Sequence, residues 1–120
     1  MNKGRKISGG KYVKNRKKKL YENLGQKRVV KLGDVKRKSI RTRGGNTKVF
    51  LLKSNVINVC DKNKKLKKTI IKTVVETPSN KFLARQNVLT KGAIVETELG
   101  KVRITNRPTQ EGVLNGILLD

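Results

Sequence analysis

Two arginines and an asparagine flank a pair of glycines in the run Arg41-Thr42-Arg43-Gly44-Gly45-Asn46. Glycine lets the backbone approach a phosphate closely, and a turn there can offer its N–H groups as well. A guanidinium donates two parallel hydrogen bonds to a phosphate. These residues therefore have the chemistry of a phosphate-binding turn. A solvated charge run at the entry to a hairpin is the alternative interpretation.

Residues that could support catalysis or metal binding are scarce. The chain has no His, one Cys and 8 Asp and Glu residues. Glu76, Glu96 and Glu98 could form an acid–base group, but nothing in their spacing builds a catalytic pair. Cys60 lies in the strand-like run 56–60, which predicts a small packed side chain. We therefore expect no enzyme activity, no metal, no cofactor and no small-molecule substrate.

Positive charge dominates the composition. Lys and Arg number 31 against 8 acidic residues, for a net charge of +23. Residues 1–48 hold 18 basic and 2 acidic side chains, whereas residues 49–120 hold 13 and 6. Such an excess repels itself unless a polyanion neutralises it. The partner is expected to be a nucleic acid, and the small number of aromatic residues predicts recognition of backbone and shape.

The rear of the chain has the pattern of short strands. Runs rich in Val, Ile and Thr alternate with turn sequences, and no long amphipathic helix interrupts them. Thr69, Ile71, Thr73 and Val75 share one face by period-2 alternation, with Lys68 and Lys72 on the other. The strands are predicted at residues 48–52, 55–60, 66–76, 93–98, 101–106 and 113–119. This pattern predicts a mainly β protein, a small antiparallel barrel or sandwich.

The runs 93–98 and 101–106 read as a hairpin around Leu99-Gly100. Its charges predict that Glu98 lies opposite Lys101 and Glu96 opposite Arg103. That register places the apolar side chains together on the other face. Because Leu-Gly is not a favoured hairpin turn, a loop longer by one or two residues is the alternative.

The N-terminal part is predicted to be a basic and largely irregular extension. Residues 14–24 could form a short helix that ends at Gly25. The sequence therefore divides into an extension, 1–47, and a β-barrel core, 48–120, and the core is expected to fold without the extension. No run of apolar residues is long enough for a membrane span, and the apolar face of residues 14–24 is too small for a helix that binds a membrane surface, so we expect no membrane partner.

Five motifs occur in an order that is specific to one family. They are Arg-x-x-Ser-Gly-Gly-Lys (5–11), Arg-Lys-Lys-Lys-Leu-Tyr-Glu-x-x-Gly (16–25), Arg-Lys-x-Ile-Arg-Thr-Arg-Gly-Gly-Asn-x-Lys (37–48), Thr-Lys-Gly-Ala-Ile-Val-Glu-Thr-Glu-Leu-Gly-Lys-Val-Arg-Ile-Thr (90–105) and Arg-Pro-x-Gln-Glu-Gly (107–112). With them the chain resembles the archaeal form of the eukaryotic-type eighth small-subunit ribosomal protein. Ser8 stands where Thr is expected, and it keeps the hydroxyl.

The resemblance implies a β-barrel core and a basic extension that binds small-subunit ribosomal RNA without catalysis. Neighbouring ribosomal proteins are the other expected partners, and the ribosome in the cytoplasm is the expected location. Without the resemblance, a DNA-binding, chromatin-compacting protein is the alternative, because charge alone does not distinguish RNA from DNA. By matching motif, the expected RNA contacts are Arg5, Lys6, Lys11, Arg16, Lys17, Lys18, Arg37, Arg41, Arg43, Asn46 and Lys48.

Overall fold

The computed structural model describes residues 4–13, 15–23, 25 and 27–119. In this part of the chain, a first 3-10 turn, Leu20–Glu22, precedes seven strands and one short helix. A second 3-10 turn, Arg43–Gly45, joins the first two strands. The elements are β1 (Lys36–Arg41), β2 (Thr47–Lys53), β3 (Val56–Cys60), β4 (Leu66–Glu76), α1 (Lys81–Arg85), β5 (Ile94–Thr97), β6 (Gly100–Ile104) and β7 (Asn115–Leu118).

Strands β3 to β7 form a closed barrel, which confirms the predicted mainly β fold. Four of its interfaces are antiparallel, but β3 and β7 pair in parallel, with Val59 opposite Gly116. The barrel is therefore antiparallel, as predicted, except at this seam, where the parallel pairing departs from the prediction. The seam closes because the 105–114 connection brings β7 back beside β3, where the Asn58 backbone N–H donates to the Leu114 carbonyl over 2.9 Å.

The barrel interior holds the hydrophobic core. Alternation along β3 sends Ile57 and Val59 inward, and both are completely buried. The side chains that form the core are Val30, Leu51, Ile57, Val59, Ile71, Val74, Leu89, Ala93, Val95, Val102, Ile104 and Leu114. Five of them come from outside the barrel strands: Val30, Leu51, Leu89, Ala93 and Leu114.

Strands β1 and β2 form an antiparallel hairpin beside the barrel. The sequence predicted β2 but not β1, because β1 is rich in basic residues and only Ile40 in it is apolar. Segment 30–32 attaches the hairpin to the rest of the chain. The Lys31 N–H donates to the Leu52 carbonyl over 3.2 Å, and the Leu89 N–H donates to the Val30 carbonyl over 2.8 Å. The β1–β2 ladder therefore joins residues on both sides of the predicted domain boundary between residues 47 and 48. That boundary stays a prediction.

The predicted register of the β5–β6 hairpin is wrong by two residues. Glu96 pairs with Lys101, where Arg103 was expected, and Thr97 pairs with Gly100. Gly100, at φ 123°, begins β6, so the loop is Glu98-Leu99. The Thr97 hydroxyl fixes this loop by donating to the Gly100 carbonyl over 2.9 Å. A register shift of two residues leaves every side chain on the face that was predicted for it. The residues of the predicted apolar face are buried: Val95, Thr97, Val102 and Ile104.

The alternation of buried and exposed side chains along β4 is interrupted near the end of the strand. Register shifts between Ile71 and Thr73 and between Val74 and Glu76 make Val74 buried and leave Val75 exposed. The Asn87 side-chain oxygen accepts from the Val74 N–H over 3.3 Å, which replaces a ladder hydrogen bond at the bulge. Lys68 and Lys72 lie on the exposed face, as predicted.

The helix predicted over 14–24 is wrong for the described part of that segment, in which only Leu20–Glu22 is helical. Positions 14 and 24 lie outside the described residues. Leu20 and Tyr21 are exposed, so no packing compensates the cost of helix nucleation. Among the described residues, no helix has the length and hydropathy needed to cross a membrane.

Candidate nucleic-acid interface

The turn between β1 and β2 carries the predicted phosphate-binding motif. Gly44 and Gly45 both have left-handed backbone conformations, with φ of 76° and 78°. Thr42 closes the turn, because its N–H and its hydroxyl both donate to the Asn46 carbonyl, over 2.7 and 2.9 Å. Arg43 and Asn46 are therefore held exposed at the tip of a defined turn.

The hairpin ladder decides which predicted side chains share a face. Ile40 lies opposite Lys48, and Lys38 lies opposite Phe50, so these four belong to one face. The other face carries Arg37 and Arg41 from β1. It also carries Val49 and the buried Leu51 from β2, so this is the face that turns toward the barrel. The hairpin thus presents predicted RNA-binding side chains from both faces and from its tip. All of these cationic side chains are exposed.

The opening motif forms a compact turn of its own. Arg5 and Lys11 make an antiparallel bridge, and the Lys6 N–H donates to the Gly10 carbonyl over 2.9 Å. The Lys6 ammonium lies 5.8 Å from the centre of the Tyr12 ring. Lys6, Arg5 and Lys11 are all exposed, so the turn displays three of the predicted cations together.

Arg16 is bound within the chain. Its guanidinium lies 2.8 Å from a Glu22 carboxylate oxygen. This hydrogen bond, followed by one from the Lys19 backbone N–H, lowers the pKa of Glu22. Both side chains lie at the surface, so the pair is weak and a phosphate can compete for Arg16. Lys17 and Lys18 are exposed beside it.

The sequence did not single out Arg28. The structure places its guanidinium carbon 3.9 Å from the centre of the Phe50 ring, across 22 positions of sequence. Phe50 is only 3% exposed, whereas Arg28 lies at the surface. A groove of about 440 Å³ opens beside this pair. It is lined by Gly25, Lys27, Arg28, Lys38, Ile40, Phe50 and Leu52. No local sequence pattern could have predicted this groove, because the contact between Arg28 and Phe50 joins segments that are distant in sequence.

Further cations lie on the barrel. The β3–β4 loop and the start of β4 carry Lys64, Lys65, Lys67 and Lys68, all exposed. Lys67 is bound to Asp61 at 2.9 Å. Glu76, Glu96 and Glu98 are exposed on the surface. Exposed positive side chains therefore occur on the N-terminal turn, on the β1–β2 hairpin and on the barrel.

A five-stranded barrel with a basic hairpin and a basic extension defines a class, the small β-barrel proteins with a polycationic surface. Within that class, the family model described as ribosomal protein S8e matches residues 1–119. The chain belongs to this family of structural ribosomal proteins. The resemblance to its archaeal form, stated from the five motifs, is confirmed.

Relatives from archaea match nearly the whole chain. Small ribosomal subunit protein eS8 of Staphylothermus marinus is 52% identical over 119 residues, which cover 97% of this chain and 92% of the relative. The protein of the same name from Nanoarchaeum equitans is 47% identical, with 96% and 91% covered. That from Methanococcus aeolicus is 44% identical, with 97% and 92% covered.

Proposed function

We propose that this chain is a structural constituent of the small ribosomal subunit that binds ribosomal RNA mainly through phosphate and shape contacts. In this role it supports subunit assembly and translation in the cytoplasm, with neighbouring ribosomal proteins as further partners. The observation that carries the proposal is the exposed, basic β1–β2 hairpin with its glycine turn, in a chain of the S8e family. The names of the relatives support the same role.

The geometry of the hairpin tip supports phosphate binding. Arg43 sits in a turn that Thr42 closes, so its backbone is ordered before RNA arrives. An ordered turn loses less conformational entropy on binding than a flexible one. The deep major groove of A-form RNA is too narrow for such a turn to read bases, whereas its phosphates are accessible. Arg41 and Arg43 are therefore assigned to phosphates.

Replacing both arginines tests this assignment. The double variant Arg41→Ala, Arg43→Ala should bind small-subunit RNA and unrelated structured RNA more weakly, by similar factors. Its slope of log affinity against log salt should fall by about one for each phosphate that is no longer neutralised. Binding titrations at several salt concentrations measure both quantities. Weaker binding confined to small-subunit RNA, with an unchanged slope, would show base reading and contradict the assignment.

A matched variant separates position from charge. Lys81→Ala with Arg85→Ala removes two positive charges from α1, which packs against β4. We expect a smaller loss of affinity than for the hairpin pair, because nonspecific attraction alone is reduced.

The same titrations with duplex DNA as competitor test the chromatin alternative. Preference for DNA over small-subunit RNA at equal salt would refute the proposed function.

A further inference from the structure

The groove beside Arg28 combines an apolar floor with a basic rim. Ile40, Phe50 and Leu52 lie on one face of the hairpin, and Lys27, Lys38 and Arg28 form the rim. The described residues that line it include no Asp or Glu. An occupant that complements this surface has a flat apolar part and negative charge on its edge.

Arg28 lies close to an aromatic ring. Its guanidinium lies over the Phe50 ring at 3.9 Å, closer than the 5.8 Å of the Lys6 and Lys19 ammonium groups from their tyrosine rings. Phe50 is buried while Arg28 is exposed, so the guanidinium lies between the ring and solvent. A guanidinium held in this way offers a flat surface on which a nucleobase can stack.

We propose that this groove binds one unpaired RNA nucleotide, with its base stacked on Arg28 and its phosphates beside Lys27 and Lys38. The inference rests on the proposed RNA-binding function and adds a site for a base to it. Paired bases are excluded, because a base within a duplex has both faces covered by its neighbours. Arg28 would thus direct the protein toward RNA that carries a bulged or looped nucleotide.

Two RNA probes isolate the unpaired base. One is a short, fully paired RNA duplex, and the other is the same duplex with one unpaired adenosine. The protein should bind the second RNA more tightly. Arg28→Lys keeps the net charge but removes the planar group, and it should reduce this preference by about 5- to 150-fold, the range that base stacking gives. Its affinity for the paired duplex should stay unchanged.

Further variants control for folding and for charge. Phe50→Leu keeps an apolar side chain but removes the ring that supports Arg28, and it should also reduce the preference. Lys27→Ala should weaken binding to both RNAs, because it removes a positive charge that attracts phosphate. Thermal unfolding of each variant verifies that the fold persists at the temperature of titration.

The outcomes separate this inference from the function on which it rests. If the wild type binds both RNAs equally, or if Arg28→Lys weakens both by the same factor, the stacking site is refuted while RNA binding stands. If the wild type binds neither RNA at low salt, the proposed function fails, and the inference fails with it.

Discussion

Gly116 lies on β7 between two neighbouring strands, opposite Val59 on one side and Ile104 on the other. A Cβ atom added there would collide with Val102 Cγ1 and would lie 3.0 Å from the Arg103 carbonyl oxygen and the Ile57 Cδ1. Its φ lies outside the left-handed region, so the role of this glycine is close packing. A side chain larger than that of glycine at position 116 would therefore hinder the closure of the barrel at its parallel seam.

Gly116→Ala should lower the free energy of unfolding by about 1–3 kcal/mol, the usual cost of overpacking a dense core. Urea denaturation measures the change. Gly10→Ala is the matched control, because its Cβ would meet only Ser8 Oγ at 3.7 Å and the Lys6 side chain at 3.9 Å. The control should stay within about 0.5 kcal/mol of the wild type. Equal stability of the two variants would show that β7 does not pack as described.

At the level of elements, the β5–β6 hairpin shows how charge pairing and loop geometry compete. Pairing Glu96 with Arg103 satisfies the charges, but pairing it with Lys101 does so equally well. The loop decides between them, because Gly100 begins β6 and the Thr97 hydroxyl binds its carbonyl. Either register buries the same apolar face, so burial does not discriminate between them.

A double-mutant cycle tests the register. Glu96→Lys should place like charges opposite each other and destabilise the protein by roughly 0.2–1 kcal/mol. Lys101→Glu in the same chain should restore most of this stability, since it recreates an opposite pair. Arg103→Glu, a diagonal neighbour, should restore less. Denaturant unfolding gives the coupling energies. Stronger coupling to position 103 than to position 101 would be inconsistent with the observed ladder.

At the scale of the whole molecule, the chain is elongated. The radius of gyration is 20.2 Å, whereas a compact chain of this length has about 14 Å, and the longest extent is 62 Å. The part of the chain that joins the core begins near Val30, which is completely buried. This burial favours a boundary for independent folding before residue 27, earlier than the predicted division at residue 47.

Two truncations compare these boundaries. A fragment of residues 24–120 keeps Arg28, Val30 and β1, and it should unfold cooperatively. It lacks nine basic and one acidic side chain of the full chain, so its RNA affinity and salt slope should fall. A fragment of residues 48–120 lacks Val30, whose burial contributes roughly 1.5–3 kcal/mol, and leaves β2 unpaired. Its melting temperature should be much lower, and equal melting temperatures would support the division at residue 47.

The sequence by itself determined the β class, most of the strands, the glycine turn and the family. Local information suffices for these features, because alternation, turn residues and contiguous motifs are all properties of neighbours in the chain. The basic residues expected to contact RNA were also identified from contiguous motifs, and whether they contact RNA stays a prediction. Their exposure is a consequence of charge, which is costly to bury.

Only the tertiary structure decided which distant residues meet. The stack of Arg28 on Phe50, the burial of Val30 and the parallel seam at Gly116 each join segments that are far apart in the chain. The bulge at Val74 depends on Asn87 in the same way. Strand β1 forms although its residues have weak strand preference, because β2 supplies its hydrogen bonds. Such features depend on packing between elements, and packing has no periodicity in the sequence.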